Sequence, residues 1–493
     1  MRFIALFVAS LATAFVQAAS AQEIPTRVGR LAYTQGSVSV YQDPELGWDK
    51  AYMNTPITSE NSIWTERGAR AEMRVGGIAV RLDGETQIDV SRLDDDDFDA
   101  GVQRGSVNVR VRYKQRNDHV TFSTPHALFM LETDGRYRID VDDERDESRL
   151  TVFGGYAFME GPSGRIAIEP GRTVVVSGSG QHALDRARET PFDKWAAVRD
   201  QQWQDSNSRR YVSSDMTGYE ELDRYGTWAQ DADYGNVWYP SRVASGWAPY
   251  RDGHWTHVRP WGWTWVDDQP WGYAPSHYGR WVQVRDRWAW APGGVRERPV
   301  WAPALVGWIG GTGISIGVSS APVGWYPLAP WERYDPWYRS SPTYLTRVNR
   351  IVVDRAPRGW QGRGDDWRRW NRDRGATIVN RDVFVNRGRV QNSFVRVAPE
   401  VIRQAPVVSG AQVVQQLPQR NELLRYHQTN DARAPAPTVM RQRQQSAAPQ
   451  PSAPGIIVQQ QPHQQQQAGQ IVRPEFRRRG NAPTMMAPAP AGQ

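Results

Sequence analysis

The 493 residues carry 60 Lys and Arg against 53 Asp and Glu, a net charge of +7, and no cysteine. The missing thiols exclude disulfides, thiolate metal sites, a cysteine nucleophile and the lipid anchor of a lipoprotein. The length implies two or more domains, and the charge is unevenly placed: residues 338–493 hold 24 arginines and 9 acidic residues, a local +15 that leaves −8 for residues 1–337.

Arg2 precedes an apolar run from Phe3 to Val16, and small residues follow, ending in Ala19-Ser20-Ala21. This pattern reads as a signal peptide over residues 1–21, cut before Gln22. The run is too short to span a bilayer, and no later stretch approaches the roughly 20 apolar residues a spanning helix needs. The expected location is therefore exported and periplasmic, with no transmembrane span.

Residues 27–180 alternate apolar and polar positions over short runs. Ser37–Val40, Ile78–Leu82, Gln87–Val90 and Val107–Val111 are half-buried strands by that test, separated by glycine-bearing turns at Gly84, Gly101, Gly105, Gly135 and Gly171. Regular short strands of this kind predict a mainly β domain: a barrel, a sandwich or a short solenoid. Gly36-Ser37-Val38, Thr65-Glu66-Arg67-Gly68-Ala69, Leu82-Asp83-Gly84, Ser91-Arg92-Leu93, Gly105-Ser106-Val107, Phe122-Ser123-Thr124-Pro125-His126-Ala127 and Gly135-Arg136-Tyr137-Arg138-Ile139 then follow in the order seen in FecR-type periplasmic domains. The stretch resembles that family. In its regulatory members the domain follows a membrane helix and a cytoplasmic segment that handles a sigma factor. Here a signal peptide stands in their place, so the resemblance implies a β-rich envelope domain without its own sigma-regulatory segment.

A helical linker is expected over residues 185–210. Thr190-Pro191-Phe192-Asp193 supplies an N-cap, a proline at the first helical position and an acid in the first turn. Phe192, Trp195, Ala196, Arg199 and Trp203 fall near one face, which predicts docking on a neighbouring domain.

Residues 221–340 hold sixteen of the 23 tryptophans. Gly246-Trp247-Ala248-Pro249, Gly253-His254-Trp255 and Trp263-Thr264-Trp265 return as Gly272-Tyr273-Ala274-Pro275, Gly279-Arg280-Trp281 and Trp288-Ala289-Trp290, at an offset of 26 residues that closes to 25. A fixed period predicts stacked copies of one supersecondary unit, a Trp/Gly/Pro-rich β-repeat domain. The motifs Leu222-Asp223-Arg224-Tyr225-Gly226-Thr227-Trp228, Trp238-Tyr239-Pro240, Trp261-Gly262-Trp263-Thr264-Trp265 and His277-Tyr278-Gly279-Arg280-Trp281 resemble a family of unknown function, the DUF6600 type, which often follows a FecR-like domain. That resemblance brings no activity with it.

Trp261, Trp263, Trp265 and Trp271 crowd one short span, and Trp288 and Trp290 form the matching pair. A thin repeat can scarcely bury them all, so these six are the candidate ligand-binding residues, as an exposed aromatic platform. Asp94–Asp97 with Asp99 lacks the glycine and distal glutamate of a calcium loop and reads as a solvated turn. The cluster from Asp140 to Glu147 reads as a hairpin tip. His254 and His257 stand three apart on a strand, which spoils joint metal ligation. Gly310–Gly313 reads as a turn, and Ser177–Gly180 lacks the setting of a nucleophile.

Residues 341–400 read as a partly ordered Arg-rich segment, and 401–493 as a Gln/Pro/Ala-rich disordered tail. Together these features predict a non-enzymatic periplasmic or envelope binding or scaffold protein, without cofactor or metal. Its expected partner is an envelope polymer (glycan or peptidoglycan) contacted through the aromatic repeats; nucleic acid is not expected. The alternative is a FecR-like protein-interaction or signalling partner in the envelope.

Overall fold

The computed structural model describes residues 23–161, 164–295, 298–310, 322–353 and 366–418. The signal-peptide reading, most of the Gly310–Gly313 turn and the tail from residue 419 lie outside the described residues. All described residues fall in one unit, residues 1–445.

The alternation of the N-terminal region builds seventeen strands. The first nine are β1 (Gly29–Gln35), β2 (Val38–Asp43), β3 (Gly47–Lys50), β4 (Pro56–Ile57), β5 (Asn61–Thr65), β6 (Arg70–Val75), β7 (Ile78–Leu82), β8 (Thr86–Leu93) and β9 (Asp97–Val111). Eight follow: β10 (His119–Ser123), β11 (Leu128–Leu131), β12 (Gly135–Asp142), β13 (Glu147–Gly154), β14 (Ala157–Gly161), β15 (Gly164–Ile168), β16 (Arg172–Ser177) and β17 (His182–Arg186).

Their pairings resolve into two layers that share β9. One layer runs β4-β1-β6-β7-β9-β12-β13-β16-β17. The other runs β3-β2-β5-β8-β9-β10-β11-β14-β15. All neighbours are antiparallel except β9 and β10. Strand β9 pairs with β8 and β10 through its first half and with β7 and β12 through its second. The crossing falls at Gly105, whose φ is +84° and where a Cβ would collide with Thr86; only glycine accepts both constraints.

One apolar core lies between the layers, with Val80, Val109, Ile139 and Leu150 from the first and Ile63, Ile88, Phe122 and Phe129 from the second. Of the predicted alternatives the result is a two-layer sandwich, not a barrel. Each fully buried aliphatic side chain contributes about 1.5–3 kcal/mol relative to exposure.

The outer face of the first layer departs from the half-buried expectation. Glu72, Arg74, Arg81 and Asn108 point away from the core yet are buried. Helix α1 (Pro191–Gln204) covers them. It begins with the predicted cap, in which Thr190 accepts from the Asp193 N–H and Asp193 accepts from the Thr190 N–H. Asn108 donates to Asp193 at 3.0 Å and Arg81 to Asp200 at 2.7 Å, while Arg138 pairs with Asp193 and Arg199 with Glu72.

The tryptophan region forms hairpins: α2 (Leu222–Tyr225) leads into β18 (Gly226–Asp231) and β19 (Gly235–Pro240), then β20 (Gly253–Val258) and β21 (Gly262–Asp267). After α3 (Tyr273–His277) come β22 (Arg280–Val284) with β23 (Arg287–Ala291), and β24 (Val306–Ile309) with β25 (Pro322–Pro327). The 26-residue period is therefore a hairpin period. The copies do not stack in series as a solenoid: β18-β19-β23-β22 form one sheet, β20-β21 stand as their own pair, and all pack around a shared indole core.

Beyond residue 340 the chain continues as α4 (Pro342–Val348), α5 (Trp370–Gly375), β26 (Thr377–Asn380), α6 (Asp382–Val385), α7 (Pro399–Gln404), β27 (Val407–Val408) and α8 (Gly410–Val414). Here the predicted boundaries need correction. Strand β26 pairs with β25 and β27 with β24, and Phe384, Val390, Val413 and Leu417 enter the indole core. Residues 366–418 belong to the folded module, although their high arginine content masks the few apolar residues that place them there.

Candidate functional site

The six candidate tryptophans were expected at the surface; the structure buries every one, with 8% or less of each exposed. Trp261 meets Trp301 edge-on, with ring centroids 4.7 Å apart, and its carbonyl accepts the Trp337 indole N–H. Trp263 packs against Phe384 of α6, and Trp271 lies between Trp238 and Trp247. Trp265 donates to Asp267 at 3.1 Å and contacts Trp255, Tyr250 and Trp325. Trp290 donates to the Tyr278 carbonyl at 2.8 Å, and Trp288 is pressed by Gly375 of α5.

No indole of the six offers its face to a ligand in this arrangement, which corrects the exposed platform. The physical reason is non-local: the cover is supplied by α5, α6 and the Trp301–Trp337 segment, far along the chain. The edge-to-face geometry that dominates these contacts suits aromatic quadrupoles and adds about 0.5–1.5 kcal/mol per pair beyond area burial. Gly279, with φ +70°, lets β22 approach β23 where a Cβ would collide with the Trp290 indole N–H. The Gly-Arg-Trp motif is thus a packing motif. Its Arg280 is buried, and burial lowers its pKa to about 10. It donates to the carbonyls of Gly279, Glu332 and Val348 and to Asn349.

The same core joins the two modules. Val28, just before β1, enters the indole cluster, and the Tyr273 hydroxyl donates to the Gly29 carbonyl at 3.0 Å. Asn54 donates to the carbonyls of Asp267 and Gln269, and Arg30 to that of Pro270, each at 2.7 Å. The acidic turn takes part as well. Asp94 accepts from the N–H groups of Asp96 and Asp97, while Asp95 accepts from the Thr26 N–H and hydroxyl and pairs with Arg347. The Asp140–Glu147 cluster closes the β12–β13 hairpin, with Asp146 held by His126. His254 sits 3.4 Å from Asp268, and His257 lies opposite Trp263.

Three ionisable groups, two buried and Glu332 half-buried, escaped sequence reasoning. His277 stacks on Trp301, donates through Nδ1 to the Ala302 carbonyl, and is pushed down to about 3 by burial, so it stays neutral. Glu332 is raised to about 7 by burial. Asp267 is raised to about 8 by burial, only partly offset by its bonds from Trp265 and the Gln269 N–H. The one signal that marked them was an ionisable residue within an aromatic-rich stretch.

For Asp267 the sign is clear. The unfolded carboxyl releases its proton near 3.8, the folded one near 8. Its contribution is full below the unfolded value and falls as pH rises through the folded one, at about 1.4 kcal/mol per pH unit. Asp267→Asn should therefore flatten the fall of melting temperature between about pH 4 and pH 8. Parallel melting profiles for the two proteins would show that Asp267 titrates normally.

The geometry defines a two-module, mainly β protein whose second module is a hairpin cluster around indoles. Residues 219–332 match the profile of a family of unknown function, DUF6600. That match ends at Glu332, whereas the indole core is completed by residues up to Leu417. Among solved structures, two crystal structures of a candidate anti-sigma factor from Parabacteroides distasonis are similar, at 14% and 15% identity and TM-scores of 0.25 and 0.24. Each likeness covers 27% of this chain, and the chain spans 64% and 63% of the matched structures. No curated protein matches the chain. None of the described helices is long and apolar enough to cross a membrane.

Proposed function

We propose that the chain is a non-enzymatic scaffold of the cell envelope that engages a protein partner at the free end of its N-terminal sandwich. The observation that carries this reading is the pair of terminal strands. Both layers end, on the side away from β4, in strands with a neighbour on one side only among the described residues, β17 and β15. Every residue of β17 is exposed, including Leu184 at 50%, and Tyr156 beside β14 is exposed at 41%. An open strand edge with apolar side chains is a template on which an extended segment of another protein adds by main-chain pairing.

The FecR-type resemblance and the signal-peptide pattern support the envelope setting. Absorption of the tryptophans into their own core leaves the repeats an architectural role, which favours a protein over a glycan partner. In affinity purification from envelope extracts, the exported protein should bring down one stoichiometric protein. Leu184→Glu should lower its recovery at least tenfold while changing stability by no more than about 0.5 kcal/mol, as is usual for an exposed position. Unchanged recovery, or no stoichiometric companion, would overturn the reading.

A further inference from the structure

A cleft of about 500 Å³ opens between β24, residues 328–335 and β27. This lies within the range of about 300–1,000 Å³ typical of small-molecule sites. Its wall includes Trp308, Leu328, Trp331 and Val408. Trp308 and Trp331 each carry an indole N–H that is buried without an acceptor. Both N–H groups are closed off from solvent, so polar recognition in the cleft falls to its ionisable side chains.

Glu332 supplies the central polar group. One carboxyl oxygen accepts from the Tyr326 hydroxyl at 2.9 Å and the other from the Ala329 N–H at 2.7 Å. Each oxygen keeps a further lone pair, and no cation stands within ion-pair distance of Glu332 among the described residues. Burial raises its pKa to about 7, which the charges of Arg280 and Arg372, beyond ion-pair distance, offset only in part. The rim holds Arg333, Asp335 and Arg368, all exposed, and Arg333 and Asp335 make no ion pair or hydrogen bond with described residues.

These charges select among ligand classes. A simple anion would meet Arg333 and Arg368 but also be repelled by Glu332 and Asp335. A metal ion would find one carboxylate where several oxygens are needed. A molecule bearing both an ammonium and a carboxylate satisfies both signs at once. We propose that this cleft binds a small zwitterion, an α-amino acid or a short peptide, with its ammonium group on Glu332 and its carboxylate toward Arg333. The site is independent of the strand edges of the sandwich.

The test is calorimetric titration of the exported protein with the twenty free amino acids and the dipeptide Gly-Leu. The N-acetylated and C-amidated forms of any binder serve as blocked controls, and acetate serves as a bare anion. At least one zwitterion should bind, its two blocked forms should bind at least tenfold more weakly, and acetate should not compete. Glu332→Gln should weaken binding at least tenfold. Arg333→Ala, a change at an exposed residue that leaves the fold intact, should weaken it at least threefold. Absence of binding across the panel, equal binding of a blocked form, or indifference to both substitutions would overturn the assignment.

Discussion

Replacing Trp255 by alanine is expected to cost about 3–5 kcal/mol, the range for removing a large aromatic from a packed core. Trp255 is wholly buried, with ring centroids 5.2 Å from Trp308, 5.4 Å from Trp325, 5.5 Å from Trp265 and 5.8 Å from Phe384. Those partners come from β21, β24, β25 and α6, so no single hairpin can shift to fill the space. Since a domain's whole stability is about 5–15 kcal/mol, the variant should unfold at a much lower urea concentration, with early loss of the near-ultraviolet dichroism of the indoles. Trp370→Ala provides the comparison. Trp370 is only partly buried and covered by Arg374, and its loss should shift the midpoint far less. Equal midpoints for the two variants would refute the shared core.

The second large effect is expected at Glu72. Its side chain is fully buried and pairs with Arg74, Arg81 and Arg199, of which the last belongs to α1. Arg81 reaches on to Asp200 and Arg74 to Glu220. Removing Glu72 leaves Arg199 without an acid partner and Arg74 and Arg81 with one each, and Glu72→Ala should cost about 3–5 kcal/mol. The pH dependence distinguishes this from a packing defect. Burial alone would raise the Glu72 pKa, but the three arginines hold it well below 4.5. Its stabilisation is therefore present above the unfolded value and lost as pH falls below about 4.5 toward the folded one. Wild type should lose melting temperature over that acid range, and Glu72→Gln should lose less. In the variant, amide exchange in residues 191–204 should also quicken, because α1 loses the Arg199 anchor. A variant with unchanged exchange in α1 would show that the network does not hold the helix.

Parts of this fold were legible one segment at a time. Ile78–Leu82 and Val107–Val111 alternate because successive strand side chains point to opposite faces, and both are strands. Thr190-Pro191-Phe192-Asp193 announces α1 because capping chemistry is local to four residues. The repeat marks hairpins for the same reason: its glycines and Trp-x-Trp pairs record turn and strand geometry within some 26 residues.

The polar face of Glu72 and Arg81 was not legible as buried. Its cover, Arg199 and Asp200, lies more than a hundred residues away. Nor was the cleft at Glu332, whose walls come from β24, the segment after β25 and β27.

The sequence by itself determined a mainly β protein with a β-rich N-terminal module, a capped helix and a tryptophan-rich β-repeat module. Those properties depend on neighbours along the chain. Only the tertiary structure decided the standing of the six tryptophans. Trp263 and Trp265 have the spacing of a flat platform, but Phe384, Trp325 and Trp255 close over them. Periodicity records which side of a strand a residue occupies, whereas exposure depends on which distant surface comes to lie against that side. In this chain part of that surface is brought by an Arg-rich segment whose few apolar residues, Phe384, Val390, Val413 and Leu417, complete the core.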